Sequence, residues 1–458
     1  MSYLNRLCIF RSKNWHELPA HFLSIENLFM KKLLIPFLIL SMIVSENSCA
    51  QPSALVRGPY LQVLTPISIT IRWRTAQAED SQVLLGTKAD KLTKKVVDVK
   101  PVIDHEVVIA GLKPNTRYFY NVGSRTKMAP KDADQFFTTA PVPGSTQPIR
   151  IWALGDFGNS SQNQFDCRDA ILKATASHRP DVWLWLGDNT YNTGLEEEYQ
   201  KHVFEVYQKD LLKNMPFFAT PGNHDYGGHL ESTTIPYFNI FSMPQKGEAG
   251  GVASGSKSYY SFNYGNVHFV SLDSEGILDG GQILSDTTGK QVTWLKKDLT
   301  ANKMPWTIVF WHHPPYSKGS HDSDTEEKMV KIREKLLPVL EQFNVDLVLG
   351  GHSHVYERTH PILGHTGLSE SFDPAKHVVE QKDAPDQYHV KGRQGVIYIV
   401  NGSGGQIGGH EPGYPLKAAA YSNNTQGGSL ILDVVGNKLE ARWICADGVV
   451  RDRFSIVK

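Results

Sequence analysis

The sequence predicts an N-terminal all-β sandwich followed by a larger α/β domain. From about residue 53, short segments such as Ile69–Thr75 alternate apolar and polar residues and are separated by turn residues, which is typical of a sandwich. After about residue 148, short apolar runs end in glycine, and segments with helical spacing lie between them. Strands that alternate with helices form parallel sheets, so the second part of the chain is expected to be α/β.

Length and charge limit the class of protein. The chain has 458 residues, 47 basic and 47 acidic side chains, and 40% hydrophobic residues, which describes a soluble globular protein with room for more than one domain. There is no basic excess of the kind that binds nucleic acid or an anionic membrane. We therefore expect a small-molecule substrate and no nucleic-acid partner. The sequence does not specify an oligomeric state.

Residues 1–50 are predicted to be a signal peptide with an upstream extension. Lys31 and Lys32 precede an apolar run, Leu33–Val44, and small residues follow up to Ala50, where we expect cleavage. The run is too short to span a bilayer, so no transmembrane helix is expected in the mature chain. A complete signal peptide would begin at Met30. We therefore interpret residues 1–29 either as the result of a start codon assigned too early or as an N-terminal extension. The protein is thus expected to be exported, either secreted or periplasmic.

The cysteines leave two questions open. Cys49 would allow lipid attachment, but Glu46 and Asn47 before it make a poor lipoprotein signal, so cleavage after residue 50 is preferred. Cys167 and Cys445 would remain in the mature chain, and two cysteines do not make a disulfide framework. We prefer two buried thiols to a single disulfide.

The predicted domains are residues 51–140 for the sandwich, 141–147 for a linker rich in proline and glycine, and 148–458 for the α/β domain. Within the sandwich, the strand around Trp73, the Leu-x-Pro-x-Thr-x-Tyr corner ending at Tyr118 and the closing strand at Phe136 resemble a fibronectin type III module. In that module the corner tyrosine ties down the loop backbone, which is a structural role.

Two apolar runs of the α/β part each end in Gly-Asp. Ile149–Leu154 leads to Asp156, and Val182–Leu186 leads to Asp188 and then Tyr191. Helical spacing between the runs predicts a strand–helix–strand unit, and such crossovers are almost always right-handed. The two strands should therefore be parallel and should deliver both carboxylates to one sheet edge, where α/β proteins bind ligands.

Three more strand-like runs end in residues that can bind a metal, most of them histidines. A single histidine after a strand is more often a structural residue than a ligand, but chance poorly explains five successive strand-like runs that all end in such residues. Asp, Asn and His suit divalent and trivalent cations, and they are too many for one tetrahedral zinc. Two metal ions that share a bridging carboxylate fit better, and such pairs hydrolyse phosphate esters. The three runs lead to Asn223 and His224, to His312, and to His352 and His354.

Taken together, these motifs resemble the signature of the calcineurin-like metallophosphoesterases, and the tyrosine at position 191 resembles the purple acid phosphatases. The resemblance covers about residues 151–358. It implies a four-layer αββα domain with the metals at the edge of the sheets, and larger family members also carry a preceding β-sandwich.

The resemblance also assigns the metal ligands. It implies a dinuclear centre of Fe(III) and a divalent ion, either Fe, Zn or Mn, with Asp188 as the bridge. A hard trivalent ion suits carboxylate and phenolate, whereas imidazoles and an amide suit the divalent ion. The Fe(III) ligands would be Asp156, Tyr191 and His354, and the divalent ligands would be Asn223, His312 and His352.

Two further histidines are candidate catalytic residues by the same resemblance. His224 matches a family histidine that contacts the phosphate, and His321 lies nine residues after His312, where many members carry a general acid. A solvated loop histidine is the competing interpretation of His321. The adjacent His313 is not assigned as a ligand, because the Val-x-x-His spacing selects His312.

The expected function is that of an exported acid phosphatase that hydrolyses phosphate monoesters by attack of a metal-bound hydroxide. A phosphodiesterase or nucleotide hydrolase with the same metal centre is the alternative, since both reactions place a phosphate on the same cluster. A more remote alternative is an inactive surface-binding module, which the complete ligand set argues against.

Overall fold

A computed structural model describes residues 55–276, 283–379, 382–384, 386–389 and 395–458 of the chain. The predicted signal segment, residues 1–50, lies outside the described residues. In the described part, no helix is both long and apolar enough to cross a lipid bilayer.

Three sheets contain the described strands. The first has five strands, with the order β1-β2-β4-β5 and with β3 beside β2. The second has eight, in the order β14-β15-β20-β19-β18-β6-β7-β8, and the third has seven, in the order β17-β13-β16-β12-β11-β10-β9. The strands are β1 Leu55–Gln62, β2 Ser68–Gly86, β3 Lys94–Ala110, β4 Arg117–Gly123, β5 Phe136–Thr138, β6 Ile149–Leu154, β7 Val182–Leu186, β8 Phe217–Thr220, β9 Tyr260–Tyr264, β10 Val267–Ser271, β11 Trp306–Phe310, β12 Leu347–Gly350, β13 Tyr356–Thr359, β14 Lys382–Ala384, β15 Gln387–His389, β16 Ile397–Asn401, β17 Ala419–Asn423, β18 Gly428–Val435, β19 Lys438–Cys445 and β20 Val450–Val457.

The helices are mostly short. Single π-helical turns follow α2 and α3, at Gln200–Phe204 and Gln208–Leu212, and a 3₁₀ turn covers Ser369–Ser371. The α-helices are α1 Gln162–Ala174, α2 Glu196–Tyr199, α3 Glu205–Tyr207, α4 Asn223–Tyr226, α5 Pro236–Ile240, α6 Lys290–Ala301, α7 Glu327–Lys335, α8 Leu337–Gln342 and α9 Pro374–His377.

Strands β1–β5 form the N-terminal module, in which the long strand β2 pairs with β1 over its first half and with β4 over its second half. Trp73 is buried on β2 and stacks on His105 with ring centroids 4.6 Å apart. The predicted tyrosine corner is confirmed, because the backbone N–H of Lys113 donates to the phenol oxygen of Tyr118 at 3.0 Å. The module is thus an all-β unit held by an aromatic core and a tied loop.

The eight-stranded sheet contains the predicted parallel unit. Strands β6, β7 and β8 are parallel neighbours, and α1 connects the first two. Their side chains are large and aromatic: Trp152 and Trp183 stack at 3.8 Å, and Trp185 and Phe217 stack at 3.9 Å. Aromatic pairs of this kind stabilise a core beyond the area that they bury, so these strand ends are held firmly.

The seven-stranded sheet faces the eight-stranded one. Strands β10, β11, β12 and β16 are parallel to one another, and Phe218 of β8 stacks on Phe262 of β9 at 3.6 Å across the space between the sheets. On the other face of the seven-stranded sheet, Val309 packs in one cluster with Leu295 of α6 and Ile332 of α7. Helix α1 packs on β18 and β19. The predicted four-layer αββα domain is confirmed.

The five motif-bearing strands divide between two sheets, three in the eight-stranded sheet and two in the seven-stranded sheet. Helices α7 and α8 follow one another directly, and they are separate because Pro338 cannot continue the helical hydrogen bonding of α7. The segment 364–393 contains α9 and the strand β15, which pairs with β20.

Candidate metal centre

The eight-stranded sheet delivers three side chains to one edge. Asp156 follows β6, Asp188 follows β7, and Asn223 follows β8 as the first residue of α4. Because these three strands are parallel and adjacent, their carboxyl ends lie side by side. The oxygen atoms of these three side chains, which could bind a metal, therefore lie next to one another at this edge.

The seven-stranded sheet delivers the histidines. His312 follows β11, and His352 and His354 follow β12, which is parallel to β11. The backbone N–H of His352 donates to both carboxylate oxygens of Asp156, at 3.1 and 2.9 Å. The loops of the two sheets are therefore joined by direct hydrogen bonds at the site itself.

One group of three side chains contains the tyrosine. The phenol oxygen of Tyr191 lies 3.1 Å from Oδ1 of Asp156 and 3.3 Å from Nε2 of His354. The Nε2 atom of His354 lies 3.7 Å from the same Asp156 oxygen. Three potential ligand atoms from three different loops thus converge on one point.

A second group contains the asparagine. Oδ1 of Asn223 lies 3.1 Å from Nε2 of His312 and 3.1 Å from Nδ1 of His352. Asp188 lies beside this group, with its Oδ2 atom 3.2 Å from Nε2 of His312. Ligand atoms of Asp188, His312 and His352 all lie within 4.8 Å of one another.

The two groups are adjacent. Nε2 of His312, in the second group, lies 4.0 Å from Oδ1 of Asp156, in the first. The structure therefore brings together all seven side chains that the sequence nominated as ligands, in the same two sets that the resemblance implied.

Glycines make this close approach feasible. Gly187 has a φ of +89°, and a Cβ atom there would lie 2.5 Å from Nδ1 of His312. A Cβ atom on Gly222 would lie 2.2 Å from Oδ1 of Asp188. A side chain at either position would push the strand-end loops apart, which explains why the apolar runs end in glycine.

The cluster concentrates negative charge in a buried place. Burial alone would lower the pKa of His312, but the carboxylates of Asp188 and Asp156 raise it to about 10. Burial opposes ionisation of Asp188 too, yet His312 beside it lowers the pKa of Asp188 to about 2. The two carboxylates thus require positive charge at this point, and a metal ion supplies more of it than one proton does.

The other groups suit metal binding as well. Burial lowers the pKa values of His352 and His354 to about 4, so both imidazoles are neutral near pH 6 and have a free lone pair. Burial raises the pKa of the Tyr191 phenol well above its usual value of 10.0, so only a strong cation would ionise it. In donor chemistry and in convergence, the residues present fit a pair of metal ions.

Both candidate catalytic histidines lie at the cluster. The imidazole of His224 is half-buried, with Nε2 3.9 Å from Oδ2 of Asp188 and Nδ1 2.6 Å from the carbonyl oxygen of Asn192. The ring of His321 lies 3.8 Å from that of His352, centroid to centroid. Its Nδ1 atom lies 2.6 Å from Oε1 of Glu326. His321 is thus fixed beside the predicted ligands and is not a freely solvated loop residue.

Comparison with known proteins agrees with this geometry. Residues 149–356 match the family model for calcineurin-like phosphoesterases, and residues 57–139 match that for the N-terminal domain of purple acid phosphatases. The chain thus combines a calcineurin-like phosphoesterase domain with a purple acid phosphatase N-terminal domain. Similarity to the purple acid phosphatases implies a dinuclear metal centre.

Relatives of this purple acid phosphatase-like chain include two proteins of Arabidopsis thaliana. This chain is 30% identical to purple acid phosphatase 15 in an alignment that covers 66% of this chain, and 29% identical to purple acid phosphatase 23 in one that covers 67% of this chain. The chain spans 54% and 63% of the length of these two relatives. The structure of purple acid phosphatase PPD1 from yellow lupin (Lupinus luteus) seeds shares the fold, with a TM-score of 0.69, 20% identity, and coverage of 88% of this chain and 74% of that one.

Two residues beside the predicted ligands were not predicted from the sequence. Glu326 places one carboxylate oxygen 2.6 Å from His321 and the other 3.1 Å from Nε2 of His352. Gln406 has its Nε2 atom 2.9 Å from Nδ1 of His354. Glu326 lies five residues after His321, and Gln406 lies in the glycine-rich turn after β16, but neither position has a spacing that marks it as functional.

Three other features have structural roles: a neighbouring histidine, a buried arginine and the two cysteines. His313 is buried, with Nδ1 2.9 Å from Oγ of Ser274. Arg358 donates to both carboxylate oxygens of Asp452, at 2.7 and 2.9 Å, and is 1% exposed, so it forms a buried ion pair and does not face the site. Cys167 and Cys445 are both buried free thiols.

Proposed function

We propose that this protein is an exported acid phosphatase with a dinuclear metal centre, and that it hydrolyses phosphate monoesters. The observation that carries the proposal is the pair of three-residue groups at the edge of the two sheets, with Asp188 beside them. Two metal ions a few ångströms apart need about seven ligands and a bridging carboxylate, and seven side chains converge here.

The two groups differ in chemistry, which supports different ions. Asp156, Tyr191 and His354 offer a carboxylate and a phenol and would hold Fe(III), while Asn223, His312 and His352 would hold Fe, Zn or Mn as a divalent ion. Asp188 would bridge the two. When bound, such a pair neutralises the phosphate oxygens and activates water for attack on phosphorus.

His224 would hold a phosphate oxygen. Its Nδ1 faces a backbone carbonyl, that of Asn192, and a carbonyl can only accept a hydrogen bond. Nδ1 therefore carries a proton, and the opposite nitrogen, Nε2, faces the cluster near Asp188. With a proton already on Nδ1, Nε2 can donate to a phosphate bound at the metals when the half-buried imidazole is doubly protonated, and the cationic ring then also attracts the phosphate charge.

His321 would protonate the departing alkoxide. Its Nδ1 faces the carboxylate of Glu326, which accepts a hydrogen bond, so Nε2 is the nitrogen that can exchange a proton with substrate. The imidazole is partly exposed, with 35% of its side-chain surface accessible. General acid catalysis of this kind contributes typically about 10²- to 10⁴-fold to the rate.

Export rests on the sequence. Two lysines, an apolar run and small residues before position 51 form the pattern that a signal peptidase cleaves. Recovery of the protein outside the cytoplasm with Gln51 as its first residue would support export. Recovery inside the cell with residues 31–50 intact would contradict it.

A paired assay tests the reaction. The purified protein, loaded with iron and a divalent ion, is given p-nitrophenyl phosphate and bis-p-nitrophenyl phosphate in parallel, and bound metal is counted by elemental analysis. We expect kcat/KM for the monoester to exceed that for the diester. The reverse preference would make the protein a phosphodiesterase. Failure to hydrolyse either ester with both metals bound would contradict the proposed activity.

A further inference from the structure

Helix α2, the four residues Glu196–Tyr199, lies between the N-terminal module and the loops of the metal centre. Arg57 of β1 is 1% exposed; it forms an ion pair with Glu196 through Nη2 and donates through Nε to Gln200 at 3.0 Å. Arg74 of β2 reaches the same Glu196 oxygen at 3.2 Å. Two arginines of the N-terminal module therefore hold the start of this helix.

The same helix holds the loop that follows Tyr191. The carboxylate of Glu198 accepts hydrogen bonds from the backbone N–H groups of Asn192, Thr193 and Leu195, at 2.6, 2.9 and 3.0 Å. The carbonyl oxygen of Asn192 in turn accepts a hydrogen bond from Nδ1 of His224. One glutamate thus fixes the backbone between a predicted ligand and a predicted phosphate-binding histidine.

The last residue of α2 reaches two other loops. Tyr199 donates its hydroxyl proton to Oδ1 of Asp225. Asp225 also accepts from the backbone N–H of Gly222 at 2.7 Å and from the side-chain amide of Asn189 at 3.0 Å. Asn189 follows Asp188, and Gly222 precedes Asn223, so this network connects the loops after β7 and β8.

These loops are also in direct backbone contact. A Cβ atom on Gly194 would lie 2.3 Å from the carbonyl oxygen of Asp225, and one on Gly227 would lie 2.2 Å from that of Thr193. Packing this tight leaves no slack, so a shift of the 192–195 loop would displace the 224–227 turn as well.

We infer that α2 is a positioning element through which the N-terminal module holds the loops bearing Tyr191 and His224 in their working geometry. Arg57 and Arg74 act on Glu196, Glu198 acts on the loop backbone, and Tyr199 acts through Asp225. The module would therefore be more than a spacer, although it supplies none of the predicted ligands. The inference concerns loop geometry, and it rests on the proposed function only where activity is measured.

The hydrogen bonds to Glu198 also suit an acidic environment. Burial raises the pKa of this carboxyl, but the backbone N–H groups of Thr193, Leu195 and Asn192 outweigh that effect and lower it below 4.5. The carboxylate therefore stays ionised as the pH falls toward that value, and the loop stays tied.

Three adjacent glutamates allow a matched experiment. Glu196→Gln, Glu198→Gln and Glu197→Gln are made in the full chain, the last as control, because Glu197 is exposed on the same helix. Amide hydrogen exchange is measured on the metal-free protein, which removes any dependence on activity. We expect exchange of peptides covering 188–195 and 222–227 to rise about tenfold in the first two variants and to be unchanged in the control.

A second pair of variants tests whether the effect passes through α2 or comes from general loosening of the contacts between the N-terminal module and the rest of the protein. Arg74→Ala removes one contact to Glu196. Arg72→Ala leaves the contacts to Glu196 in place and removes a hydrogen bond to another segment, because Arg72 donates to the carbonyl of Asn239 at 2.6 Å. We expect faster exchange in the two loops for Arg74→Ala only. With metals bound, kcat for p-nitrophenyl phosphate should fall about tenfold in Glu196→Gln, because misplacement of catalytic groups by about 1 Å can cost as much as 10²-fold.

Unchanged hydrogen exchange in both loops for Glu196→Gln and Glu198→Gln would overturn the inference. A rise in exchange for Arg72→Ala equal to that for Arg74→Ala would overturn it as well. If the wild type has no phosphatase activity, the proposed function fails, and the exchange measurement still decides the positioning role of α2.

Discussion

The phenol oxygen of Tyr191 and Oδ1 of Asp156 lie 3.1 Å apart, and both side chains are buried. Burial raises the pKa of the aspartate well above its usual value of 3.8, and it raises that of the tyrosine too. Neither group ionises easily without a cation, and both are ligands that a hard trivalent ion prefers. Two predicted ligands, 35 residues apart in the chain, thus mark one end of the candidate metal centre.

The first prediction follows from this pair. A ferric ion bound to a phenolate absorbs visible light, so the oxidised, iron-loaded protein should be purple or pink, and Tyr191→Phe should lose the band while retaining iron. Tyr226→Phe is the control, because Tyr226 also donates to a buried aspartate, Asp273, at 2.6 Å. Absorption spectra with iron analysis check this. A colourless iron-loaded wild type would refute the assignment of Tyr191.

The second prediction concerns His321. If His321 protonates the leaving group, His321→Ala should reduce kcat by about 100-fold or more for an alkyl phosphate, whose alkoxide needs a proton. The loss should be less than about tenfold for p-nitrophenyl phosphate, whose leaving group is stable as an anion. Parallel kinetics on the two esters measure the difference, with exposed His178→Ala as control. Equal losses on both esters would assign His321 to binding or structure instead.

The third prediction concerns Glu326, which shares its two oxygens between His321 and His352. By accepting from Nε2 of His352, it leaves Nδ1, which faces Asn223, as the lone pair for a metal. Glu326→Gln can accept from only one of the two rings, so we expect metal affinity to fall by about 10- to 100-fold. Competition with a chelator measures this. The control is Glu327→Gln at the next position of the chain, and equal affinities in the two variants would count against this role of Glu326.

The fourth prediction concerns pH. Burial raises the pKa of Glu357 from 4.5 to about 7, although Ser317 donates to it at 2.6 Å. Because its pKa is higher in the folded state, Glu357 binds a proton more tightly there than in the unfolded state. The resulting contribution to the free energy of unfolding is complete below pH 4.5 and is lost as the pH rises to 7. Its full size is up to about 3 kcal/mol.

Glu357→Gln removes that titration. Thermal melts at pH 5 and pH 7 should show a smaller loss of Tm over this interval in Glu357→Gln than in the wild type. Glu197→Gln, with its exposed side chain, should follow the wild type. Parallel loss of Tm in all three proteins would show that Glu357 does not titrate in this range.

The sequence was sufficient to predict which seven side chains the fold brings together, because parallel strands place their carboxyl ends side by side. Each of the five apolar runs ends in glycine or a polar ligand, and parallel strands must present these ends at one edge of a sheet. The corner tyrosine, Tyr118, and the hairpin of β18 and β19 were also predictable, since both depend on residues close together in the chain. Local patterns carry this information whether or not the rest of the fold is known.

The sequence could not show which distant side chains meet. Glu326 contacts His352 across 26 residues, and Arg74 contacts Glu196 across 122, and neither distance leaves a periodic pattern. The division of the five strands between two sheets was equally hidden, because each apolar run looks the same in either sheet.

The sequence, with the family resemblance that it carries, therefore supplied the predicted ligands, their order and their assignment to two sets with Asp188 as the bridge. Only the tertiary structure decided how the five strands divide between two sheets, which carboxylate orients His321 and His352, and that the N-terminal module reaches the loops of the site through α2. The physical reason is that ligand delivery depends on backbone periodicity, which is local, whereas orientation depends on side-chain hydrogen bonds between segments that only packing of the whole chain brings together.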